Sequence, residues 1–137
     1  MKNITDKAIH DKFADLKNYY LSELKDLSTF KDKQNNRISI VDKIETEFSL
    51  INKVIKNNHI YMFYYSIDNC IKLTKILSKI SMLLQELDVA NNIHNLKSCS
   101  FLHDNFNLSA KEFLKDLNNY HDTKEFLNIF NQDLKNY

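Results

Sequence analysis

The sequence predicts an all-α fold: a compact bundle of five to six helices, with a central, mostly buried helix near residues 59–88. Two observations predict it. The chain of 137 residues contains neither glycine nor proline, where average usage would supply about 16 of the two combined. In helix interiors proline costs about 3 kcal/mol and glycine about 1 kcal/mol, so nothing along this chain strongly opposes a helix. The second observation is periodicity. Apolar residues recur at three- and four-residue spacings from end to end, the signature of amphipathic helices. One helical domain over residues 1–137 is expected, because a chain of this length buries close to 70% of its unfolded surface without needing staples.

Asparagine is expected to take over glycine's role of ending helices, since it tolerates the left-handed conformation. Four pairs, Asn35-Asn36, Asn57-Asn58, Asn91-Asn92 and Asn118-Asn119, divide the chain on that reading. The first helix is predicted over 6–33, with Ile9, Phe13, Leu16, Tyr20, Leu24, Leu27 and Phe30 as its apolar stripe and Lys7 and Asp11 off it. The second is predicted over 38–56, with Ile38, Val41, Ile44, Phe48, Ile51 and Ile55. The third, over 59–88, is apolar around most of its circumference. Ile60, Phe63, Ile67, Cys70, Leu77, Ile80, Leu84 and Leu87 form its main face, and only Asp68, Lys72, Lys75 and Lys79 form a polar strip. That pattern belongs to a helix at the centre of a bundle.

A short fourth helix is predicted over 89–102. The next is expected to start at Ser109, which forms a capping box with Glu112, with Leu108 and Phe113 as a hydrophobic staple. Asp122 and Glu125 repeat the box before a last helix with Phe126, Leu127, Phe130 and Leu134.

The missing glycine narrows the chemistry. Phosphate-cradling loops, the dinucleotide fingerprint and the nucleophile elbow all require it. The net charge is +1, and no stretch concentrates it: residues 1–33 carry seven Lys against six acids, and residues 91–137 five against six. A nucleic-acid footprint is a basic patch, so no nucleic-acid partner is expected. No apolar run approaches the ~20 residues of a membrane span, and no membrane partner is expected either. Residues 1–6 lack an apolar leader. With Cys70 and Cys99 read as reduced, buried thiols, the expected compartment is the cytoplasm. Arg37 is the only arginine. Abundant Lys, Asn and Ile suggest an AT-rich coding sequence, so Lys over Arg carries no functional weight.

Few constellations point to catalysis. Cys99 and His103 lie four apart, but with His94 or His121 they match no zinc-site spacing. No Glu-x-x-His pair is present for a di-iron bundle. No metal, cofactor or catalytic residue is therefore expected. His59-Ile60-Tyr61 is similar to the His and trailing Tyr that some helical nucleases of the HEPN type carry at a helix start. The resemblance stops at those two residues. The Arg expected shortly before the His is absent, and Lys53 and Lys56 cannot supply its bidentate fork.

The run Tyr61-Met62-Phe63-Tyr64-Tyr65 surrounds a helix with large side chains. Tyr and Met are favoured at interface cores, so Tyr61, Met62, Tyr64 and Tyr65 are the candidate partner-binding residues. The function expected is non-enzymatic: binding another protein, such as a toxin or effector, as an immunity protein, antitoxin, antagonist, adaptor or chaperone. A homodimer is compatible with the same residues. The alternative is an HEPN-like RNA-processing enzyme or an inactive relative.

Overall fold

The computed structural model describes residues 6–28, 35–56, 63–93 and 100–136. They form α1 (Asp6–Ser28), α2 (Asn35–Lys56), a 3-10 turn (Phe63–Tyr65), α3 (Ile67–Ile93), α4 (Ser100–His121) and α5 (Glu125–Lys135). No strand occurs among the described residues. The chain is the all-α bundle its composition predicts, with α3 at the centre. That helix packs on α2, α4, α5 and the 3-10 turn, while α1 packs on α4 and α2.

The amphipathic stripes account for the packing. Ile9, Phe13, Leu16 and Tyr20 of α1 are buried, as are Val41, Ile44, Phe48 and Ile51 of α2. They join Leu77, Ile80, Leu84 and Leu87 of α3 and Phe106, Phe113 and Leu117 of α4 in one continuous core. Each such side chain contributes about 1.5–3 kcal/mol by leaving water. On α3 the predicted polar strip, Asp68, Lys72, Lys75 and Lys79, is exposed. Thr74 and Ser78 lie buried on the same helix, and their hydroxyls donate back to the carbonyls of Cys70 (2.7 Å) and Thr74 (3.1 Å). Buried hydroxyls are tolerated because these local bonds satisfy them.

Several boundaries differ from expectation. Residues 63–65 form a separate 3-10 turn rather than the opening of α3. Ser66 starts the helix, its Oγ accepting the Asn69 N–H at 3.2 Å, an N-cap bond to the third residue of the helix. Phe63 is buried in the 3-10 turn, whereas Ile67, expected on the main face, is exposed at the first position of α3. Of the helix predicted over 89–102, residues 94–99 lie outside the described residues. Val89 to Ile93 finish α3, and Ser100 to Leu102 open α4. No helix begins at Ser109. α4 runs through it, because Leu102, Phe106, Ala110, Phe113 and Leu117 form an unbroken buried stripe. Leu108, expected as half of a staple, is exposed.

The asparagine pairs lie within a few residues of helix boundaries but do not themselves supply a left-handed helix end among the described residues. Asn35-Asn36 begins α2, Asn91-Asn92 lies inside the last turn of α3, and Asn118-Asn119 lies inside α4. Asn57-Asn58 falls outside the described residues. The left-handed position among the described residues belongs to Asp122, at φ +53°. It ends α4 as a Schellman motif: the Asp122 N–H donates to the Asn119 carbonyl (3.3 Å) and the Thr123 N–H to the Asn118 carbonyl (2.9 Å). Asp122 therefore terminates α4 instead of capping α5. The first amides of α5 are satisfied by Thr123 Oγ1, which accepts from Glu125 (3.2 Å), and by buried Asn118 Oδ1, which accepts from Phe126 (3.1 Å).

Candidate partner-binding surface

The aromatic run divides between core and surface. Tyr61 and Met62 lie outside the described residues. Tyr64, expected on the binding surface, is wholly buried, and so is Phe63. Their rings meet edge to face at 5.1 Å. Tyr65 is 57% exposed, and its ring stacks on Tyr120 at 6.1 Å and 10°.

Tyr64 instead ties three elements together. Its carbonyl accepts from His121 Nε2 at the end of α4 (2.6 Å) and from the Cys70 thiol in the first turn of α3 (3.4 Å). Its hydroxyl lies 3.1 Å from His10 Nδ1 on α1. Burial pushes the Tyr64 phenol well above its ordinary range. Burial also lowers His10, outweighing the opposing pull of Asp11. A protonated phenol and a neutral imidazole share this hydrogen bond. The Cys70 thiol, raised by burial to about 12, is a poor nucleophile at neutral pH, since only the thiolate reacts. This cluster ties α1, the 3-10 turn, α3 and α4 together.

Two other exposed apolar residues, Tyr19 and Leu108, line a groove between α1 and α4. α1 and α4 run antiparallel: as α1 advances from Lys12 through Phe13 to Tyr20, its partners on α4 recede from Asp116 through Phe113 to Phe106. Between them lies an open groove of about 550 Å³. Tyr19 and Asp15 stand on its α1 wall, and Leu108, Asn105 and Glu112 on its α4 wall. Tyr19 is 46% exposed and Leu108 64%. Phe101, also 64% exposed, lies two turns before Leu108 on the same face of α4. The groove floor is fixed from below. Phe13 and Phe113 meet at 5.7 Å, and Tyr20 and Phe106 at 5.1 Å, edge to face. Ser109 hydrogen-bonds the Tyr20 side chain. Lys12 reaches across to the buried carboxylate of Asp116.

A second hollow, of about 520 Å³, lies between α3 and α5 beside Met82 and Leu83. Its charges are already paired, Lys75 with Asp133 at 3.9 Å and Lys79 with Glu47 at 2.8 Å.

Sequence reasoning missed Tyr19, Phe101 and Leu108. The available signal was the seven-residue spacing of Phe101 and Leu108, which marks a second apolar line only if α4 is read as one helix. His94 and Cys99 lie outside the described residues, and His103 contacts Asp104 Oδ1 (3.1 Å) and Asn107 Nδ2 (3.4 Å). Among the described residues no three His, Cys, Asp or Glu side chains are placed to hold a metal ion. His59 and Tyr61 of the HEPN-like pattern also lie outside them. No described helix is long and apolar enough to cross a membrane. Compared with known proteins, the chain matches no family model, no curated protein and no solved structure.

Proposed function

We propose that this protein works by binding another protein, and that the α1–α4 groove is the docking surface. The observation that carries this reading is that Tyr19 and Leu108, two large exposed apolar residues, line one open groove, with exposed Phe101 two turns before Leu108 on the same face of α4. Single exposed apolar side chains are ordinary, but grouped ones mark interaction sites. The groove floor is built from packed aromatic rings and an ion pair whose carboxylate, Asp116, is buried, so the surface is preformed and little ordering cost remains at binding. Tyr65 is less suited to the role, because stacking on Tyr120 already covers part of its ring.

The test is affinity purification from the source cells with three forms of the protein. Wild type and Leu50→Glu, altered on the exposed face of α2, are expected to retain the same partner. Phe101→Glu/Leu108→Glu is expected to lose it. Equal retention by the double variant, or equal loss by Leu50→Glu, refutes the groove as the docking surface.

A further inference from the structure

We infer that the groove receives an amphipathic helix of a partner protein, and that this helix carries lysine or arginine beside its apolar anchors. The inference rests on the groove being a docking surface, and it specifies the chemistry of what docks. The helical form follows from the walls. Both are α-helices whose backbone groups bond internally, so the groove offers no sheet edge to pair with an extended peptide. A helix satisfies its own backbone and needs only side-chain contact. The groove between two antiparallel helices is a natural seat for a third at 8–10 Å interaxial distance. From Asn105 to Glu112 the α4 wall covers a rise of about 10 Å at 1.5 Å per residue, or about two turns of a partner helix, and exposed Phe101 continues its line one turn further. Anchors at i, i+3, i+4 and i+7 on that helix would meet Tyr19, Leu108 and Phe101.

The charge of the partner follows from the rim. Asp15 on α1 and Glu112 on α4 line the groove, both are exposed, and neither pairs with a described residue. Glu23 continues the acidic rim one turn beyond Tyr19, close enough to act on the Tyr20 hydroxyl. The cation in the groove lining, Lys12, is already engaged by buried Asp116. The field available to an incoming helix is therefore negative, although the whole chain carries +1. Complementary charge steers encounter and fixes register.

The experiment uses a phage-displayed library of 20-residue helical peptides. Leu and Phe are fixed at i, i+3, i+4 and i+7, and the flanking positions vary among Lys, Glu, Gln and Ser. Selection on the wild-type protein is expected to enrich Lys over Glu at the flanks. Recovered Lys peptides should bind about three- to tenfold more tightly than their Glu counterparts, as two exposed ion pairs allow. The preference should collapse in 1 M salt, where screening acts within about 3 Å. On Asp15→Lys/Glu112→Lys it should invert. Those side chains are exposed and unpaired, so unchanged thermal unfolding will confirm that the variant is folded.

Peptides that bind wild type without charge preference, and lose binding on Leu108→Glu, would overturn the basic-helix inference while leaving the groove as a docking surface. A charge preference unmoved by the double reversal would also overturn it. So would a library yielding no binder, including the case where sedimentation shows a dimer that Leu108→Glu dissociates. In that case a second copy covers the groove.

Discussion

Phe106→Ala is the sharpest test of the packing described for α4. Phe106 is fully buried and stands where three helices meet, its ring 5.1 Å from Tyr20 on α1 and 6.4 Å from Phe48 on α2. Truncating a buried Phe to Ala costs about 3–5 kcal/mol. Alanine's better helix propensity offsets about 0.5 kcal/mol of this, leaving a net loss of about 3–4 kcal/mol. Domains of this kind have about 5–15 kcal/mol in total, so the variant should fold but melt early. At about 2.1 cal/mol/K per residue, the 137 residues give an unfolding entropy of roughly 0.29 kcal/mol/K. The expected drop in Tm is then about 10–14 °C. Phe101→Ala, five residues away on the exposed side, is the matched control and should change stability by less than about 0.5 kcal/mol. Urea unfolding followed by far-ultraviolet circular dichroism measures both, with equal m-values confirming the two-state comparison. A loss below about 1 kcal/mol for Phe106→Ala, or a larger loss for Phe101→Ala, refutes the register assigned to α4.

Three further outcomes follow from the buried cluster and the end of α4. Burial lowers His10 from its ordinary 6.5, so the unfolded chain binds the extra proton first. Stability from this group is full above about pH 6.5 and falls as pH drops through that value. His10→Gln should flatten the slope of unfolding free energy between pH 7 and 5 relative to wild type, and an unchanged slope refutes the assignment. The Cys70 thiol, ordinarily at 9.0 and raised to about 12, loses its proton first in the unfolded chain, so stability falls as pH rises above 9.0. In a Cys99→Ser background the native protein at pH 8 should resist an aromatic disulfide reagent until it unfolds, whereas rapid labelling would show an accessible thiol. Asp122 holds φ at +53°, where a side chain is disfavoured and glycine is not. Asp122→Gly is therefore expected to stabilise the protein by up to about 1 kcal/mol, and a clear loss in Tm would show that the Asp122 side chain supports the turn.

The parts of the fold legible in the sequence are those a single stripe determines. α1 and α2 each carry one apolar line, and the polar strip of α3 marks its outer side wherever the helix starts. The boundaries were harder, because a helix end reflects a competition. Asn118 and Asn119 each tolerate a left-handed turn, yet the stripe through Phe113 and Leu117 keeps them helical, and the chain turns only at Asp122. The capping pattern at Ser109 and Glu112 is worth about 1 kcal/mol. Breaking the helix there would also forfeit the continuous burial from Leu102 to Leu117. Ser66, whose side chain does cap a helix, sits in an apolar context that the aromatic run obscures.

The same competition decides which residues are available for binding. Tyr64 and Tyr65 are adjacent and alike in chemistry. The 3-10 turn buries one against His10 and Phe63 and turns the other outward, so sequence alone had no means of separating them. On α4 the separation is legible once the helix is continuous. The core line takes Leu102, Phe106, Ala110, Phe113 and Leu117, and Phe101 and Leu108 are left over on the far side. Since α4 is already anchored by its core line, folding does not require Phe101 or Leu108 to be apolar, and polar replacements should be close to neutral in unfolding experiments. Phe101 and Leu108 are residues for which loss of binding without loss of stability would separate the two roles, as no substitution at Phe106 or Tyr64 can.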